Sequence, residues 1–110
     1  MSQTNAIILR IDSDRTDEFE KLFESEVLPL WRKFKADGKF ISASLTPVME
    51  GEGNQGESGI RDYILHVEVP SMKEHTQFDS NPDFNRFLSK AQAMQPKEAR
   101  VWLGETLFEV

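Results

Sequence analysis

With two histidines, one tyrosine and no cysteine, this chain has few side chains able to move a proton near neutral pH. His66 is the first. It lies in Tyr63-Ile64-Leu65-His66-Val67-Glu68-Val69, where alternation sets Ile64, His66 and Glu68 on one face and Leu65 and Val67 on the other. Two more runs with strand-like patterning place Ile8 with Arg10, and Ser42 with Ser44 and Thr46, on a matching polar face. Imidazole is the side chain that titrates nearest neutrality, and a guanidinium can hold an anionic or enolate oxygen. His66 as acid or base and Arg10 as oxyanion holder, with Ser44 and Glu68 as binding groups, is the chemistry such a face could perform. The competing reading is that these groups satisfy one another across an interface or face water.

His75 follows Ser71-Met72-Lys73-Glu74 near the start of a helix, where it is either a ligand contact or a surface and packing residue. Tyr63 and Trp102 stand in strand-like runs. Aromatic residues there usually build the core, and the alternative is a flat ring lining a substrate pocket. His66, His75 and Glu68 match no ligand spacing that a helix or adjacent strands would enforce, so no metal site is expected. The acidic stretch Glu50 to Glu57 lacks the residue order of a calcium loop and reads as a solvated hairpin tip.

The elements that must position these groups follow in the order βαββαβ. Ala6 to Ile11 reads as a strand leading into a helix capped by Ser13 or Asp14. Phe19, Leu22, Phe23, Val27, Leu30, Trp31 and Phe34 then recur every three or four residues, the stripe of a helix. Pro29 predicts a kink or restart near Val27-Leu28, and Gly38 closes the segment. Phe40 to Val48 alternates as a second strand, and the glycine-rich gap after it predicts a long, mobile hairpin loop. Tyr63 to Val69 is the third strand, ended by Pro70. Ser71 with Glu74 forms a capping-box pattern, and Asn81-Pro82 signals a second helix start with asparagine as cap. Val101 to Val110 reads as the last strand.

At 110 residues the chain makes one domain, residues 1–110. Thirteen basic against nineteen acidic residues give a net charge of −6, which argues against nucleic acid and anionic membrane as partners. Without cysteine there is no disulfide framework and no thiolate chemistry. The sequence shows neither a secretory signal nor a run long enough to span a membrane, so a cytoplasmic protein is expected. A four-stranded sheet with apolar residues on both faces can bury only one under its own helices, which predicts a homodimer.

The segment Gly38-Lys39-Phe40-Ile41-Ser42-Ala43-Ser44-Leu45 resembles the second strand of small dimeric α+β barrel proteins of the antibiotic-biosynthesis monooxygenase type. Tyr63 to His75 is similar to that family's third strand running through a Ser-capped turn into its second helix. Asn81-Pro82-Asp83-Phe84-Asn85-Arg86-Phe87 resembles its later helix start. The resemblance implies an α+β, ferredoxin-like protomer that pairs into a dimeric barrel and binds a small aromatic or polyketide-type ligand between sheet and helices. It further implies a cofactor-independent monooxygenase or related isomerase, because in such relatives the substrate's own carbanion reacts with oxygen. The alternative is a non-catalytic ligand-binding or stress-associated dimer of the same fold. Many relatives carry a tryptophan just before the Ser-capped helix, where this chain has Val69 and Pro70. The Asn, Trp and His set of the heme-degrading branch is not reproduced: Asn5 is near the asparagine, but Leu88 falls about where the heme-ligating histidine would.

Overall fold

The computed structural model describes residues 2–49 and 59–110. Most of the glycine-rich stretch expected to be a mobile hairpin loop lies outside the described residues. The elements are β1 (Gln3–Asp12), a 3-10 turn (Ser13–Arg15), α1 (Thr16–Glu26), α2 (Leu28–Ala36), β2 (Ser42–Pro47), β3 (Ile60–Val69), α3 (Met72–Asp79), α4 (Pro82–Gln92) and β4 (Arg100–Glu105). The strands form one antiparallel four-stranded sheet in the order β2-β3-β1-β4. This is the α+β, ferredoxin-like arrangement, with β1 and β3 in the middle.

Local chemistry explains the boundaries. Asp12, and neither Ser13 nor Asp14, caps the entry to the first helical region, its Oδ1 accepting from the Asp14 amide at 2.9 Å. The 3-10 turn interposed before Thr16 moves the exposed amides one residue earlier than the pattern predicts. The break at Val27 falls where Pro29 predicts it, since the ring leaves no donor there and α2 must restart. Val27 nonetheless keeps its amide bonded to Phe23 O and its own carbonyl bonded to Trp31 N, and its side chain is buried. Gly38 adopts φ 75° at the end of α2, which lets the Lys39 amide reach back to Phe34 O at 2.8 Å.

Two further expectations change. Ser71 does precede α3 with extended backbone, but its hydroxyl donates to the Glu74 carboxylate and makes no cap to a helix amide. That bond holds the Glu74 carboxyl below the usual carboxylate range, helped by the residue's own backbone amide. The last strand is also shorter than Val101 to Val110. Its ladder runs out where β1 begins at Gln3, with Thr106 N reaching Ser2 O at 2.9 Å as a final bond. The side chains of Leu107, Phe108 and Val110 stand in solvent.

The helices cover one face of the sheet. Leu9 and Ile11 from β1 and Tyr63, Leu65, Val67 and Val69 from β3 point into that layer and are buried. Above them, aromatic rings lock edge to face and tilted: Phe19 on Tyr63 at 4.9 Å, Phe23 on Trp31 at 4.9 Å and on Phe87 at 5.5 Å, and Phe78 on Phe84 at 4.3 Å. Each such ring removes a large apolar area from water and adds an oriented contact worth about 0.5–1.5 kcal/mol.

Asn81 is the cap expected for α4, its Oδ1 accepting from Asp83 N at 2.9 Å and Phe84 N at 3.2 Å. Asn81→Ala should lower stability by about 1 kcal/mol. Thermal unfolding would register this as a reduced midpoint, and an unchanged midpoint would show that α4 does not depend on the cap.

Candidate functional site

Directly paired residues on antiparallel strands project to the same side of the sheet, so the register sorts the sequence candidates onto two faces. The face away from the helices carries Ser44 opposite His66, His66 opposite Ala6, and Ala6 opposite Trp102. The adjoining row runs from Ser42 through Glu68 to Thr4. Glu68 Oε2 accepts from Ser2 Oγ at 3.1 Å and from Thr106 Oγ1 at 3.4 Å, and Thr106 is in turn 2.6 Å from Thr4 Oγ1. His66, Ser44, Glu68 and Trp102 therefore share one patch, in which Trp102 is 55% exposed.

Arg10 does not join them. It is paired with Asp62, four residues along β3 from His66, or roughly 13 Å at the rise of a strand. The guanidinium is buried, with Nε 3.8 Å from Asp62 Oδ1, and its backbone amide donates to Gln95 Oε1 at 3.0 Å. The segment joining α4 to β4 passes this end of β1, where Asp12 N also donates to Met94 O. Burial and the ion pair give Arg10 a structural setting distinct from that of His66.

Tyr63 points the other way, into the helix-side core. It is 1% exposed, stacks against Phe19 and donates its hydroxyl to Glu20 Oε2 at 2.5 Å. Burial, and then the hydrogen bond to Glu20, push the phenol well above the ordinary tyrosine range.

His75 is also on the helix side, and it is there that the structure builds a polar cluster. On α3, Nε2 of His75 lies 3.0 Å from Asp79 Oδ2, one turn on. Its Nδ1 lies 2.8 Å from Nδ2 of Asn5, near the start of β1. A carboxylate only accepts, so Nε2 must carry the proton and Nδ1 of the neutral ring must accept from the Asn5 amide. Asn5 is 6% exposed and the His75 side chain 17%.

The surroundings of Asn5 are apolar. It pairs with Val67 on one side and Leu103 on the other, and the next row outward pairs Ile7 with Val101. Val67 is buried under the helices. Leu103 and Val101, on the edge strand, are 43% and 63% exposed. The helices thus leave an uncovered apolar shelf on β4, with a hydrogen-bonded amide and imidazole at its inner margin. Two clefts, of about 410 and 570 Å³, open elsewhere, on the outer surface of the helical layer. Neither is lined by His66, Arg10, His75 or Asn5.

Sequence reasoning missed Asn5 and Asp79 as site members. Both left a signal. Asn5 shares the parity of Ile7, Leu9 and Ile11 and, with Gln3, is polar on that otherwise apolar face, and Asp79 follows His75 at i+4 on a helix. What pairs them is the fold, since Asn5 and His75 are 70 residues apart in sequence. Among the described residues no group of three or more His, Asp and Glu side chains is placed to hold a metal ion, and no helix is long and apolar enough to cross a membrane.

No family profile matches the sequence, and no curated protein matches it. Solved structures do. A putative antibiotic biosynthesis monooxygenase from Caulobacter crescentus is similar over 97% of this chain and 91% of its own, with a TM-score of 0.73 and 18% identity. SnoaB, a cofactor-independent oxygenase from Streptomyces nogalater solved as a mutant, is similar over 99% and 96%, with a TM-score of 0.69 and 13% identity. A dimeric ferredoxin-like protein from an uncultured marine organism is similar over 99% and 90%, with a TM-score of 0.75 and 12% identity. The chain therefore has the protomer fold of the antibiotic-biosynthesis monooxygenase-like proteins, as its sequence motifs imply.

The Tyr63 environment yields a pH prediction. A phenol whose folded pKa is raised contributes stability that is fully present below its unfolded value, about 10, and is lost as pH rises beyond that toward the folded value. Ultraviolet titration of the single tyrosine should show ionisation displaced upward and accompanied by unfolding. Glu20→Gln should move it part of the way back, and an ordinary tyrosine titration in folded protein would contradict the buried placement.

Proposed function

We propose that this protein is a homodimeric, cofactor-independent oxygenase acting on a small, hydroxylated aromatic or polyketide-type ligand. The ligand lies on the helix side of the sheet, against Ile7, Val101 and Leu103, with Asn5 and His75 as its polar contacts. The observation that carries this reading is the Asp79–His75–Asn5 chain at the margin of an otherwise apolar shelf. An apolar surface holds the rings, and histidine is the side chain most often used to take a proton. Asp79 stabilises the imidazolium that results. The ligand anion can then react with oxygen and supply the electrons itself, so this chain's part is to bind and deprotonate.

The fold shared with a cofactor-independent oxygenase and with putative monooxygenases supports this class of chemistry. His66 and its neighbours take a different role in this reading. Their face carries Trp102 on the edge strand and Ile64 on β3, 55% and 39% exposed, beside polar groups that no helix covers. Docking a second copy there would bury these side chains and the Ser44, His66 and Glu68 groups together, and one of the structurally similar proteins is described as dimeric.

Oxygen uptake with hydroxylated anthracenes and naphthalenes tests the activity. Turnover should fall by about 10²-fold or more in His75→Ala and be largely kept in His66→Ala. The reverse pattern would move the site to the open face, and ligand binding without oxygen uptake would leave a ligand-binding dimer. Light scattering after gel filtration should give twice the chain mass, and a monomer at micromolar concentration would remove the dimer from the proposal.

A further inference from the structure

The chain Asp79–His75–Asn5 has a direction, set at its exposed end. Asp79 is 56% exposed and can only accept, so it fixes the proton on Nε2 of His75. Nδ1 is then a lone pair facing Asn5, and only the NH2 end of the amide can satisfy it at 2.8 Å. The carboxamide is planar, so committing one N–H to His75 also fixes where the oxygen goes. With Asn5 buried between Val67 and Leu103, turning the amide over is the only other arrangement that keeps a bond to the ring.

We propose that Asp79 is a positioning residue that, through the His75 tautomer, holds the Asn5 amide with its oxygen presented to the ligand, and so selects ligands that offer a hydroxyl. The inference rests on the ligand lying against Asn5, as read above. It also gives the site a second state. When His75 gains a proton, Nδ1 becomes a donor while Nε2–H keeps Asp79. The Asn5 amide must then turn to offer its oxygen to Nδ1–H, and its NH2 faces the ligand. The same asparagine that accepts from a hydroxyl beside neutral His75 donates to an oxyanion beside charged His75. The proton reaches Nδ1 only once the Asn5 amide has turned off it: the ligand O–H then breaks in its place, an N–H forms at Nδ1, and no electron leaves the pair.

Among the described residues, Asp79 is the charged group shown paired with His75. Asp79 is on its own helix. The helix-side residues flanking Asn5 on β1 and β3 are Gln3, Ile7, Val67 and Val69, all uncharged. On β4, Glu105 follows Leu103 on the same face, opposite Gln3, and is exposed. Asp79 is thus the carboxylate bonded to the ring.

Imidazole nitrogen NMR on labelled protein reads the tautomer directly, with only two histidines to assign. The parent should show His75 protonated at Nε2 alone at alkaline pH, together with a hydrogen-bonded Asn5 amide proton. Asp79→Ala, at an exposed position that should not affect folding, should give a mixture of tautomers and a weakened Asn5 signal. A His75 protonated at Nδ1 in the parent, or an unchanged spectrum in Asp79→Ala, would overturn the proposal. For ligand choice the probes are 1-naphthol and its methyl ether. The naphthol should bind about tenfold tighter at a pH where it keeps its proton and His75 is neutral, with the preference reduced in Asp79→Ala and on protonating His75. Equal binding of the two probes would overturn the selection. Failure of both to bind, with the tautomer as expected, would instead defeat the ligand reading of the site and leave the positioning intact.

Discussion

Everything in this protein is referred to one packing constraint: the sheet has two faces, and its own helices can cover only one. The rings of Phe19, Phe23, Phe84, Phe87 and Trp31 close over Tyr63, Leu65 and Leu9, and their interlocking geometry holds α1, α2 and α4 at fixed distances from β1 and β3. The break at Val27 and the restart at Asn81 serve that closure by letting each helical region bend around the sheet. The edge strand β4 is left outside it, and so is the whole opposite face.

That partial coverage determines which polar groups can be chemically interesting. A polar side chain under the aromatic layer calls for a partner, because leaving it bare, as Trp31 Nε1 is left, costs about 1–3 kcal/mol. Tyr63 meets the requirement through Glu20 at the margin of the layer, and Asn5 through His75. The two solutions differ in what they leave over. The Tyr63 hydroxyl has a single proton and gives it to Glu20, while an amide retains further donor and acceptor capacity after bonding one imidazole nitrogen. Asn5 also borders the uncovered end of the sheet, where Leu103 and Val101 are open, so its remaining capacity is placed where a ligand could use it.

The structural relatives share this architecture at identities of 12–18%. At that distance the alternation of apolar residues and the helix starts persist, since many sequences satisfy them, while individual polar residues need not. Here Val69 and Pro70 precede the helix that a tryptophan often introduces in such proteins, and the polar cluster is assembled from Asn5, His75 and Asp79.

How much of this was legible in the sequence follows from the range of the forces involved. Period-two alternation determined which residues of β1 and β3 share a side, and Pro29, Gly38 and Asn81 marked the break, the stop and the restart, because these are local backbone and hydrogen-bonding effects. Caps that depend on the exact geometry of one turn escaped it: Asp12 in place of Ser13 or Asp14, and a Ser71 hydroxyl that turns to Glu74. The tertiary structure alone decided register and coverage. Register set Arg10 opposite Asp62 and His66 opposite Ser44, which separated two residues that alternation had placed on one face. Coverage put Tyr63 in the core and brought His75 of α3 over Asn5 of β1, a pairing between distant segments that no local pattern encodes, since it exists only once the helical layer has closed on the sheet.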